Sequence, residues 1–141
     1  MNRRRAVLST FAALAVAWCG RALLADWPQW RGPKRDGVAN GFRPPKHWPT
    51  ALDKDWSVEV GLGHASPVVV GNRIYLLTRR NDAETVRCLS LDDGQELWQH
   101  HYAAPYEVNP AAASHGPGPK STPVVAGDRL ITLGISGILT C

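Results

Sequence analysis

The sequence is poor in cysteine and in the short motifs that mark common catalytic and metal sites. Only three cysteines occur in 141 residues, and none belongs to a C-x-x-C pair of the kind found in redox and zinc sites. Neither an H-E-x-x-H motif nor a G-x-S-x-G motif is present. The sequence therefore points to no catalytic residue and to no metal ligand.

The chain also lacks a basic surplus once its N-terminus is set apart. It carries 16 Lys and Arg against 12 Asp and Glu, but four of the arginines and none of the acids lie in residues 1–25. Residues 26–141 are left with 12 basic and 12 acidic side chains. Because this portion has no run of Lys and Arg with interleaved aromatics, no nucleic-acid partner is expected.

No apolar run reaches the length of about 20 residues that spans a bilayer. The longest run, residues 6–18, follows three arginines and precedes a small residue at Ala25. This pattern predicts a signal peptide over residues 1–25 and export by the general secretory route to the periplasm or cell surface. The alternative is a retained anchor, and membrane association is expected only through such an uncleaved leader.

What the chain does contain is a repeat. Residues 65–102 are typical of four short strands, at 68–70, 73–78, 85–91 and 96–102, separated by a Gly-Asn turn, a polar loop tip at 79–84 and an Asp-Asp-Gly turn. The opening, ASPVVVGNRIYLL, returns at residues 121–133 as STPVVAGDRLITL. The second copy is three residues shorter in its middle hairpin, so that Cys141 aligns with Cys88.

Four antiparallel strands within the 38 residues 65–102, followed by a restart, are typical of β-propeller blades. We therefore predict an all-β chain, a β-propeller of four-stranded antiparallel blades that is incomplete in this sequence, because a ring needs at least about four blades. The predicted parts are the leader at 1–25, an irregular N-terminal segment with a ring-closing strand at 26–64, a complete first blade at 65–102, an interblade insertion loop at 103–120 and the start of a truncated second blade at 121–141.

Three residues are predicted to dock neighbouring blades on one another. Trp98 begins the fourth strand of its unit, and Gly94 forms the turn just before it. Trp56 precedes Ser66-Pro67 as Trp98 precedes Thr122-Pro123. Residues 55–60 alternate polar with apolar side chains, as a strand does. We predict that 55–60 is the outer strand of the last blade, and that the proline-rich and tryptophan-rich stretch before it is a structural cap.

The candidate binding residues lie in the long connection between the two units. Residues 103–120 contain Tyr106, Asn109, His115 and Lys120, which all donate hydrogen bonds, among four stiffening prolines. Long loops in compact repeats are often functional, so these four residues are predicted to bind a partner at the propeller face. The alternative is a flap that only covers the blade interface. His64 is expected at the central channel, without assigned partners.

Two cysteines remain after the leader, Cys88 and Cys141. Because they occupy the same place in successive copies of the repeat, we expect two buried, unreactive thiols rather than one disulfide bridge.

Two stretches carry a family resemblance. Leu89-x-Leu91-Asp92-Asp93-Gly94-x-Glu96-Leu97-Trp98 resembles the tryptophan-docking repeat of quinoprotein-like propellers. Residues 26–33, DWPQWRGP, with RDG at 35–37, are similar to the mature N-terminus of bacterial secreted pyrroloquinoline-quinone-like propeller repeat proteins. The resemblance covers nearly everything after residue 25.

Two functions follow as hypotheses. The first is a non-catalytic exported propeller that acts as a binding or scaffold module for a protein or another partner. The second, which the resemblance implies, is a dehydrogenase that uses pyrroloquinoline quinone and calcium, with its catalytic residues in further C-terminal blades. Quinoprotein alcohol dehydrogenases place a disulfide of adjacent cysteines against the cofactor, and this chain has no adjacent pair. The first hypothesis is therefore favoured.

Overall fold

The computed structural model describes residues 26–141, and the predicted leader lies outside the described residues. Two antiparallel sheets make up the fold, which confirms the all-β class. The first sheet has the order β1-β2-β3-β4 and the second has the order β5-β6-β7. The strands are β1 (Val68–Val70), β2 (Arg73–Arg80), β3 (Ala83–Ser90), β4 (Glu96–Ala103), β5 (Val124–Ala126), β6 (Arg129–Leu133) and β7 (Leu139–Thr140).

The four strands of the first unit form where the sequence predicts them, but the middle hairpin is longer. Arg80 pairs with Ala83, which leaves only Asn81 and Asp82 as the turn. The expected loop tip at 79–84 is therefore wrong. Asn81 adopts a positive φ of 54°, a conformation that Asn tolerates better than most residues, so the polar residues around it continue both strands.

β3 is the centre of the first sheet, because β2 pairs along its whole length and β4 covers the other edge. Residues 84–89 of β3 are all buried, whereas β4 is exposed along nearly its whole length. The outermost strand is thus β4, as the order of the repeat predicts. The buried apolar side chains of this unit include Val68, Leu77, Val86 and Leu89.

The N-terminal segment joins the two sheets at their first strands. Trp27 pairs with Val69 through two backbone hydrogen bonds of 2.7 and 3.0 Å, and the amide of Val125 in β5 donates to the Pro28 carbonyl at 2.8 Å. β1 and β5 lie close together beside this link. One short stretch of chain therefore satisfies backbone groups on the first strand of each sheet.

The outer strand predicted at 55–60 stays a prediction, because the last blade with which it would pair is not among the described residues. None of these residues has a strand partner among the described residues, and a strand requires a neighbour to receive its ladder hydrogen bonds. Leu62 makes the only bridge nearby, to Arg79 at the free end of β2. β1 is too short to cover that end, so Leu62 takes over the pairing there.

A buried carboxylate connects the sheets a second time. Glu84 is fully buried, and its Oε1 accepts the amide of Ile135 at 2.7 Å while its Oε2 accepts the Tyr102 hydroxyl at 2.8 Å. Gly134 leaves room for it, since a Cβ there would overlap the Glu84 carboxylate. Burial, and next the hydrogen bond to Glu84, raise the pKa of Tyr102 to about 12.

Candidate functional site

The structure brings one histidine from each of two distant segments together with a lysine. His64 Nε2 contacts the His115 carbonyl oxygen at 2.9 Å, and the two imidazole rings meet edge to face with centroids 6.2 Å apart. Lys120 Nζ lies 3.3 Å from the same carbonyl oxygen. We call His64, His115 and Lys120 the 64–115–120 cluster. His64 thereby gains the partners that the sequence could not assign.

Glycines make this approach feasible. Gly118 is buried against residues 62–63, and a Cβ on it would lie 2.5 Å from the Gly63 backbone nitrogen. The amides of His64 and Ala65 both donate to the Pro119 carbonyl, at 2.8 and 3.2 Å. The segments 61–65 and 115–120 are consequently held backbone to backbone, at a distance that no larger residue permits at position 118.

A buried arginine fixes both supports of the cluster. Arg79 is 2% exposed; its backbone pairs with Leu62, and its Nη1 donates to the Ala104 carbonyl at 2.8 Å. Asp82 lies 3.6 Å from its Nη2 but is almost fully solvated, so that pair contributes little. Arg79 therefore positions the segment that carries His64 and also the start of the loop that carries His115. The sequence predicts a loop tip at this residue and carries no signal of this role.

The four predicted partner-binding residues do not form one group. Asn109 caps a short 3-10 helix, η1 (Pro110–His115), where its side-chain oxygen accepts the Ala111 amide at 2.9 Å. A six-residue 3-10 helix is about 12 Å long, so Asn109 lies at the opposite end of η1 from His115. Tyr106 is half-buried. Only His115 and Lys120 of the predicted four thus belong to the cluster.

The cluster concentrates hydrogen-bond donors without a carboxylate. A carbonyl oxygen only accepts, so His64 Nε2 carries the proton in this contact. Lys120 Nζ contacts the carbonyls of residues 115, 116 and 118 at 3.3, 3.4 and 3.5 Å, longer than usual N–H···O bonds. The two ion pairs among the described residues, Arg79–Asp82 and Arg87–Glu96, lie elsewhere. The arrangement can therefore bind an anionic group.

The predicted docking residues are found in two different settings. The Trp56 ring lies on Gly94, where a Cβ would come 2.6 Å from the ring, and the indole N–H donates to the Leu91 carbonyl at 3.1 Å. Gly94 has a positive φ of 71°. Trp98 is 41% exposed, lies 6.1 Å from the Tyr75 ring and lines a cleft of about 480 Å³ between the sheets.

The two cysteines also differ. Cys88 is buried with a free thiol, and burial raises its pKa, which disfavours the reactive thiolate. Cys141 is free and exposed. The expectation of two buried thiols is therefore wrong for Cys141, because no strand beyond β7 covers it among the described residues.

Neither a metal site nor a membrane span is found within residues 26–141. No three His, Cys, Asp or Glu residues converge there in a way that could hold a metal ion. No helix in this part of the chain has the length and apolar character needed to cross a bilayer. No protein-family model, curated protein or solved structure matches the chain.

Proposed function

We propose that the chain belongs to an exported β-propeller that binds an acidic partner protein at the 64–115–120 cluster and catalyses no reaction. The observation that carries this proposal is that two imidazoles and an ammonium group lie together at residues 103–120, the insertion between the two copies of the repeat. Two sheets of the same repeat, joined at their first strands by residues 27–28, support the propeller part of the proposal. Export rests on the sequence of residues 1–25.

The chemistry of the cluster favours a carboxylate as the group that is bound. An anion placed between Lys120 Nζ and the ring of His115 would receive charge-assisted hydrogen bonds, which are stronger than neutral ones. All three residues of the cluster are exposed, so a partner can reach them without opening the fold. Because no carboxylate of the described chain neutralises them, an acidic partner surface would supply the missing charge.

The quinoprotein alternative gains no support from residues 26–141. Calcium takes six to eight oxygen ligands, several of them carboxylates, and the described residues bring no such group together. The described residues therefore form no calcium site, and this alternative places its site in further C-terminal blades.

The test is a double variant of the full chain, His115→Ala with Lys120→Ala. We expect binding of a fluorescein-labelled Asp- and Glu-rich peptide, followed by anisotropy at low salt, to weaken at least about tenfold, since each charge-assisted bond contributes 1.5–3 kcal/mol. The melting temperature should stay within a few degrees, because both side chains are exposed.

The matched control removes one exposed imidazole and one exposed cation elsewhere, His101→Ala with Arg73→Ala. This variant should bind the peptide as the unchanged chain does. If both double variants weaken binding equally, the effect is one of net charge and the cluster is not a site. Unfolding of the His115 and Lys120 variant would instead identify residues 103–120 as a structural flap.

A further inference from the structure

A second surface lies far along the chain from the cluster, in residues 30–52. The segment is fastened at both ends, by Trp27 and Pro28 to β1 and β5 and by Trp56 to the Leu91 carbonyl. Between these points, the hydrogen bonds of the described residues join only residues within 29–42 to one another. Every residue from 33 to 55 is exposed. The segment therefore projects from the sheets rather than covering them.

This projecting segment, residues 30–52, holds the positive charge of the described chain. It contains five basic side chains and one acidic one, Asp36, whose Oδ1 already accepts the amide of Val38. The rest of residues 26–141 carries seven basic and eleven acidic side chains. None of the five cations forms an ion pair with a carboxylate of the described residues. They are Arg31, Lys34, Arg35, Arg43 and Lys46.

The same segment exposes large apolar side chains. Phe42 and Trp48 stack on each other with centroids 6.5 Å apart, yet both remain about 60% exposed, at 61% and 62%. Trp30, Val38 and Leu52 are also more than half exposed, at 60%, 52% and 75%. A segment that exposes five large apolar side chains is a candidate interaction site, because leaving apolar surface in water is unfavourable.

We infer that the projecting segment binds the surface of a bilayer that contains anionic lipid. At that surface, phosphate groups attract Lys and Arg, and the boundary beneath them accommodates Trp and Phe. Val38 and Leu52 favour a lipid surface over an acidic polysaccharide, since aliphatic side chains do not stack on sugar rings as aromatic ones do. This route to a membrane does not involve the leader, to which the sequence analysis confined membrane association.

The positive charges of residues 30–52 are visible in the sequence, but their spacing does not indicate a membrane-binding segment. The cations and aromatics interleave over 19 residues, from Trp30 to Trp48, rather than in one short run. The five prolines of residues 26–52 indicate a structural cap instead. The structure adds that residues 33–55 are all exposed.

The inference is tested by co-sedimentation of the full chain with vesicles of phosphatidylcholine alone and with 30% phosphatidylglycerol. The charge reversal Arg43→Glu with Lys46→Glu should weaken binding to the anionic vesicles at least about 25-fold, because each cation near such a surface contributes about fivefold. Phe42→Ser with Trp48→Ser should weaken it at least about tenfold through lost apolar burial. Binding of the unchanged chain should fall in 0.5 M salt.

Matched controls separate this surface from general effects. Arg73→Glu with Arg129→Glu makes the same charge change at exposed positions of β2 and β6, and Leu139→Ser removes an exposed apolar side chain from β7. Both should bind anionic vesicles as the unchanged chain does, and the leader is common to all variants. Equal binding by the Arg43 and Lys46 variant overturns the inference. So does complete release from the anionic vesicles by soluble dextran sulfate together with no effect of the aromatic variant, since that result identifies a polyanion site.

Discussion

Two copies of the same repeated sequence form the two sheets, but different contacts stabilise each sheet. Each begins with a three-residue strand, a glycine turn and a longer second strand, in matching register. In the first sheet the next hairpin pairs eight residues with eight, whereas in the second sheet β7 has two residues. The repeat thus specifies the first hairpin of both sheets.

The second sheet makes hydrogen bonds with groups outside it. Its turn amide at Ile135 is bound by Glu84, its first strand by Pro28, and its own cross-strand bond joins the hydroxyls of Thr132 and Thr140 at 2.6 Å. Two of these three contacts come from outside the sheet. Polar contacts therefore join the second sheet to the rest of the fold, whereas the first sheet also buries Val86, Cys88 and Leu89 of β3.

The largest effect should come from comparing the tryptophans at equivalent places, Trp56 and Trp98. Trp56→Ala should cost about 3–5 kcal/mol of unfolding free energy, as expected for a large aromatic with a packed ring and a bound N–H. Trp98→Ala should cost about 1–2 kcal/mol, because 41% of that residue is already in solvent. Urea unfolding measures both. Equal costs for the two variants would contradict the difference in docking described above.

Removing the charge of Glu84 should weaken the second sheet selectively. Glu84→Gln exchanges two charge-assisted bonds for weaker ones and should cost about 1.5–3 kcal/mol. Hydrogen exchange of the amides in β6 and of Ile135 should accelerate more than that of β2 and β3. Glu107→Gln, at an exposed residue, serves as the control and should change stability by less than about 0.5 kcal/mol. Uniform acceleration across both sheets would show that Glu84 does not act on the second sheet in particular.

The smallest effect should be seen at alkaline pH. Because the pKa of Tyr102 is raised to about 12 in the fold, from an ordinary value of about 10, the fold favours the neutral phenol. The stability that this group contributes is complete below pH 10 and is lost as the pH rises from about 10 to about 12. Tyr102→Phe should flatten the loss of stability over that interval, as followed by urea unfolding at each pH. An equal loss of stability in the Tyr102→Phe variant would show that this phenol is not its cause.

Local features of the fold could be predicted because they depend on neighbouring residues. Gly71-Asn72 and Asp92-Asp93-Gly94 form the turns that their sequence predicts, and the four strands follow in the expected order. The expectation failed at 79–84, where charged residues suggested a loop. There the pairing of β2 with β3 and the bonds of Arg79 and Glu84 to distant groups outweigh the polarity of the side chains.

Of the candidate site, the sequence identified His115 and Lys120, because an insertion in a repeat stands out, and it singled out His64 without partners. It could not show that His64 lies beside them, 51 residues away in the chain, since a close approach of Gly63 and Gly118 leaves no local signal. Sequence by itself determined the strands, the turns and the charge of residues 30–52. Only the tertiary structure decided which backbones meet, which ions are buried and which apolar side chains stay in water, because each of these depends on contacts between residues far apart in the chain.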